Sequence, residues 1–100
     1  MAKFVLTKKA VDDLSSIWKF TCRNWSEKQA DKYYKVLSRS FAAIAESPEC
    51  GNTYFKVIDG LRGFKVGRHI VFFRQIEGGN IQIIRILHEQ MDLKNRLNEE

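Results

Sequence analysis

Two residues late in the chain have types and a spacing that could do chemistry: Arg85 and His88. An imidazole moves protons near neutral pH, and a guanidinium steadies negative charge developing on a phosphate. Together they outline a metal-free ribonuclease, in which an RNA 2′-hydroxyl attacks the adjacent phosphate. Such a site needs a further acid or base on the same surface, and Lys65 or Arg74 are the local recruits. Tyrosines stand only at positions 33, 34 and 54, so none follows Arg85 to fill that role. On this reading the catalytic set is Arg85, His88 and Lys65.

The competing chemistry is binding. Arg85 interrupts the apolar run Ile83-Ile84-Arg85-Ile86-Leu87, where an ordinary core strand would not hold an unpaired charge. It therefore meets an acidic group on a partner, or is paired inside its own chain to Asp59, Glu77 or Asp92. Other chemistries lack their residues. No Gly-rich phosphate loop or dinucleotide fingerprint occurs, and Gly78-Gly79 reads as a hairpin turn. Cys22 and Cys50 show no CxxC spacing and read as free thiols. No metal and no cofactor are expected.

The elements that must carry these residues follow from periodicity. Lys3 to Leu6 is a short extended segment, and Thr7 can cap the helix after it. Apolar positions then recur at Val11, Leu14, Trp18, Thr21 or Cys22, and Trp25, with Asp12, Asp13, Lys19 and Arg23 largely on the opposite side. Ser26-x-x-Gln29 is a capping box, opening a second helix through Ala30, Tyr33, Leu37, Phe41 and Ile44 that Pro48 ends. So short a link makes the two helices an antiparallel hairpin.

Three β-branched and aromatic segments follow: Arg62 to Val66, His69 to Ile76 and Ile81 to Leu87. A Gly67-Arg68 turn sets Val66 opposite His69, and a Gly78-Gly79 turn sets Glu77 opposite Asn80. Alternation then gives one face Phe64, Val66, Val71, Phe73, Ile84 and Ile86, to pack on the hairpin. The other face carries Lys65, Ile70, Phe72, Arg74, Ile83, Arg85 and Leu87, and its three cations make it the expected binding surface. His69 and His88 fall opposite each other. Two imidazoles do not complete a metal site, and they are expected to cap the sheet end.

The 100 residues suit a single domain, 1–100, of α+β class: an N-terminal strand, an antiparallel αα hairpin, then a three-stranded antiparallel sheet. The net charge of +5, with no long Lys/Arg run, favours an acidic partner over an electrostatic tail for DNA. No direct sequence-specific nucleic-acid binding is expected, nor any membrane span, and reduced thiols point to a cytoplasmic setting.

The stretch from Gly60 to Arg74, followed by Arg85-Ile86-Leu87-His88-Glu89-Gln90-Met91-Asp92, resembles the C-terminal half of ParE toxins of the RelE/ParE superfamily. Arg-x-Leu-His-x-x-Met-Asp at a strand end is its most specific part, and the strand–helix–helix order before it is similar too. The resemblance implies the toxin of a type II toxin–antitoxin module with a ParD-like antitoxin. It implies DNA gyrase as the target in ParE-type members, and messenger RNA on the ribosome in RelE-type members. The missing late tyrosine and the lack of a dense lysine set favour the gyrase branch. Target- or antitoxin-binding residues are then expected to be Lys65, Arg74, Arg85, His88 and Met91, with Trp18 and Tyr34 on the hairpin. The hairpin carries Trp18, Phe20, Trp25, Tyr33, Tyr34 and Phe41, more rings than one buried stripe can hide. An antitoxin is expected to cover the excess.

Overall fold

The computed structural model describes residues 3–53, 60–90 and 97. The chain runs β1 (Phe4–Leu6), α1 (Lys8–Asn24), α2 (Glu27–Glu46), β2 (Asn52–Thr53), β3 (Arg62–Val66), β4 (His69–Gln75) and β5 (Ile81–His88). Both helices begin as the sequence dictates. The Thr7 hydroxyl accepts from the Ala10 N–H at 3.1 Å, and the Ser26 hydroxyl from the Gln29 N–H at 3.0 Å, each satisfying a backbone donor that the helix leaves free.

The class is α+β, with a larger sheet than three strands. Among the described residues five strands pair in the order β1-β5-β4-β3-β2. The N-terminal strand joins as a parallel neighbour of β5, Phe4 opposite Ile81 and Leu6 opposite Ile83, while all other pairings are antiparallel. The hairpin packs on one face of this sheet, and Leu14, Leu37, Phe41, Ile44, Val71, Phe73 and Ile83 form the shared core. The α1 stripe sits one position from the expected one: Ala10, Leu14 and Ile17 face the core, whereas Val11 and Trp25 are exposed.

The β3–β4 turn holds the predicted register, with Val66 opposite His69. Gly67 is there for two reasons: its φ is +58°, and a Cβ would lie 2.8 Å from the Tyr33 hydroxyl. The β4–β5 register is as expected from His69–His88 to Phe72–Arg85, then slips by one. The Ile76 N–H donates to the Asn80 carbonyl across a loop of three residues rather than two, and an extra residue in β5 absorbs the difference as a bulge. The bulge exchanges the faces of two neighbours. Ile83 turns to the hairpin and Ile84 to the far side, the reverse of simple alternation.

That far side is not the solvated cationic face the pattern suggested. Leu61, Ile70, Phe72, Ile84, Leu87 and Leu97 bury one another there as a second apolar cluster. A sheet covered on both faces explains why the β4 and β5 sequences read as nearly continuous apolar runs.

Candidate functional surfaces

Arg85 is the first residue the structure reassigns. It is 7% exposed, and its Nε and Nη2 donate to Asp13 Oδ2 and Oδ1 at 2.7 and 3.0 Å. Asp13 Oδ2 also accepts the Ile86 N–H at 3.0 Å. This geometry is bidentate and charge-assisted, the strong form of an ion pair. It also solves an edge problem. β1 pairs with β5 only as far as Ile83, and beyond it the edge is finished by side chains. The Thr7 hydroxyl donates to the Ile84 carbonyl at 2.8 Å, and Asp13 takes the next outward N–H. Arg85 is thus an internal strut. The partner it shows is Asp13, which the sequence reading did not name; Glu77 is exposed, and Asp59 and Asp92 lie outside the described residues. Asp13, assigned to the solvent side by periodicity, is the functional residue that reading missed. A helical step does place it on one flank with Ser16 and Phe20, toward the β5 edge.

The remaining expected site residues do not converge. Lys65 is exposed and pairs with Glu89 at 2.8 Å, an interaction that also holds the Glu89 carboxyl below the usual carboxylate range. Arg74 stands near the other end of the sheet, its Nε on Gln82 Oε1 at 2.9 Å. Met91 lies outside the described residues.

Trp18 and Tyr34 do come together. With Val11, Leu14, Ser15 and Asp31 they line an open groove of about 430 Å³ along the hairpin. Trp18 Nε1–H donates to Asp31 Oδ1 at 3.0 Å, which fixes the indole, and Tyr34 is 45% exposed. Here α1 and α2 lie side by side, leaving an apolar trough of the kind that accepts a further helix.

The opposite flank of α1 carries a second surface. Ile17 and Phe20 face His69, His88 and Gln90, and the cleft continues past Trp25, Tyr33 and Arg68. Phe20 and Trp25 are 63% and 76% exposed. At the floor, the Tyr33 hydroxyl donates to the Val66 carbonyl at 3.1 Å and lies 2.7 Å from His69 Nδ1. The His69 and His88 rings meet edge-to-face with centroids 5.3 Å apart. Burial first, then His88, push the His69 pKa down to about 4, so the ring is neutral at physiological pH. The Gln90 N–H donates to His88 Nδ1 at 3.1 Å, which leaves the proton of neutral His88 on Nε2 as a donor. Burial raises the Tyr33 pKa. The expected pairing of His69 with His88 is therefore present at the sheet end, and Tyr33 anchors it.

Comparisons with known proteins agree with this architecture. A family model described as "ParE toxin of type II toxin-antitoxin system, parDE" matches residues 4–93. The chain is 33% identical over 97 residues to Toxin ParE1 of Caulobacter vibrioides, covering 97% of this chain and 99% of that protein. It is 31% identical to Toxin ParE of Escherichia coli, covering 97% and 94%, and 29% identical to Toxin ParE1 of Mycobacterium tuberculosis, covering 96% and 98%. Among solved structures, a chain of a chromosomal ParDE TA system from P. aeruginosa superposes with a TM-score of 0.74 at 22% identity, covering 88% of this chain and 96% of that one. That likeness is one of fold.

Proposed function

The chain belongs to the ParE toxin family of type II toxin–antitoxin systems, and from that premise we propose that it stops bacterial growth by binding and poisoning DNA gyrase. The observation that carries this reading is the match of residues 4–93, nearly the whole chain, to the ParE model. The action is non-covalent: a surface of the toxin engages gyrase and holds it in an unproductive state. A ParD-like antitoxin silences it by laying an amphipathic helix into the Val11–Trp18–Tyr34 groove, where burial of exposed apolar area supplies the affinity.

The ribonuclease reading loses its main cation. Arg85 is engaged by Asp13 inside the fold, so it cannot steady a phosphate without giving up a buried pair. The test is a pair of assays run together. Purified toxin is added to gyrase and supercoiled or relaxed DNA, and separately to a translating ribosome extract. Loss of supercoiling, or trapped cleaved DNA, is the expected result, with message left intact. Replacement of His88 by alanine is expected to lower toxicity by no more than about tenfold, the scale of one lost binding hydrogen bond. A general acid or base contributes about 10²–10⁴-fold in rate, so a loss on that scale in a folded protein would select the nuclease instead.

A further inference from the structure

The two surfaces flanking α1 differ in chemistry as well as position. Helical geometry places Val11, Ser15 and Trp18 on one flank and Ser16 and Phe20 on the other, with Ala10, Leu14 and Ile17 between them on the core. The groove is a long trough between two helices, and the charged group lining it is the carboxylate of Asp31. The cleft is closed at the floor by Tyr33, His69 and His88, and the charged group lining it is the guanidinium of Arg68. Its acidic neighbour Glu89 is already held by Lys65 at 2.8 Å. A trough suits an extended helical partner. A short cleft with an aromatic rim and a polar floor suits one anchoring side chain from a folded surface.

We infer that the Phe20–Trp25–His88 cleft is the surface that engages the toxin's target, separate from the groove that takes the antitoxin, and that it receives a large apolar side chain flanked by a carboxylate. The apolar anchor lies between Phe20, Ile17 and the neutral His69 ring. The carboxylate meets Arg68 at the rim and the His88 Nε2–H. Because Tyr33 and the Gln90 N–H fix both imidazoles before binding, little side-chain order is lost when the partner arrives. The inference rests on gyrase being the target.

Affinities for two probes test it: purified gyrase and the purified cognate antitoxin, each titrated against full-length toxin carrying Phe20→Ser, Arg68→Glu or Arg68→Lys. Thermal melts confirm that each variant is folded. The expected result is that Phe20→Ser and Arg68→Glu weaken gyrase binding tenfold or more. Arg68→Lys retains most of it, and antitoxin affinity stays within twofold for all three. Trp18→Ala should show the converse. Loss of antitoxin binding with gyrase binding intact would assign the cleft to the antitoxin and overturn the inference, as would no loss for either probe. If wild-type toxin binds antitoxin but neither binds nor inhibits gyrase, the gyrase reading itself fails, and that outcome is distinct because it appears before any substitution is made.

Discussion

The two halves of α1 make opposite use of the same helix. In its first half, Thr7, Ala10, Asp13 and Leu14 are all committed. Thr7 and Asp13 hydrogen-bond the β5 edge, and Ala10 and Leu14 are buried. In its second half, Phe20 and the capping Trp25 are largely exposed and border open space beside the ends of β4 and β5. The first half satisfies buried polar groups and so contributes to stability. The second half leaves apolar area exposed, which costs the free protein and is recovered only on association. On the flank of α1 that meets β5, groups committed to stability and apolar surface left open are therefore separated along the helix, while Val11 in the first half is open on the other flank. Substitutions on the β5 flank should sort accordingly.

The largest effect is expected at Asp13. Asp13→Ala removes the carboxylate that pairs with Arg85 and accepts the Ile86 N–H, and loss of about 3–5 kcal/mol of unfolding free energy is expected. Arg85→Ala should cost a similar amount, and the double variant less than the sum of the two. Urea titrations of all three check this, and additive losses would show that the pair is not coupled. If Arg85→Ala were neutral for stability but severe for partner binding, Arg85 would return to the recognition surface.

Next comes Gly67, which holds the cleft floor. Gly67→Ala combines a φ of +58° with a close approach to the Tyr33 hydroxyl, so a loss of about 1–3 kcal/mol is expected. Tyr33→Phe is the companion variant: it removes the oxygen that the new methyl group meets, and should lessen the penalty of Gly67→Ala when the two are combined.

A smaller effect is expected from pH. His69 has a folded pKa of about 4 against an ordinary value of 6.5. Between those values the unfolded chain takes up a proton that the folded chain refuses. Stability is thus intact above pH 6.5, declines as pH falls toward 4, and stops declining on this account below 4. His88, Asp13, Glu89 and Tyr33 surround the ring. Glu89, whose pKa is lowered by Lys65, adds a decline of the same sign at the acidic end. Melting temperatures of wild type and His69→Gln across this range separate the two, since only the decline between pH 6.5 and about 5 should vanish in the variant.

The smallest effect on stability marks the open half of α1. Phe20→Ser should change unfolding free energy by no more than about 0.5 kcal/mol, because the ring is already largely in water. A loss of several kcal/mol in a denaturant melt would place Phe20 in the core and erase the contrast between the halves.

The groove and the cleft were partly legible before the fold. The excess of rings on the hairpin announced an uncovered apolar surface, and Phe20, Trp25 and Tyr34 are indeed exposed while Phe41 is buried. Strand register alone put His69 opposite His88. Tyr33 beneath His69 was not legible, since the bond joins α2 to β4.

The sequence by itself determined what local geometry controls. Thr7 and Ser26 start the helices because their hydroxyls reach backbone donors three residues on. Gly67 turns β3 into β4 because only a residue without a side chain fits there at low cost. Apolar runs became strands because β-branched and aromatic side chains pack on a pleated surface. Tertiary structure decided the rest. The bulge that exchanges Ile83 and Ile84 depends on how the loop before it closes, which alternation cannot foresee. The pairing of Asp13 with Arg85 spans 72 positions. A charge amid isoleucines says only that a partner must exist, and the packing of α1 against the unfinished edge of β5 is what supplies it.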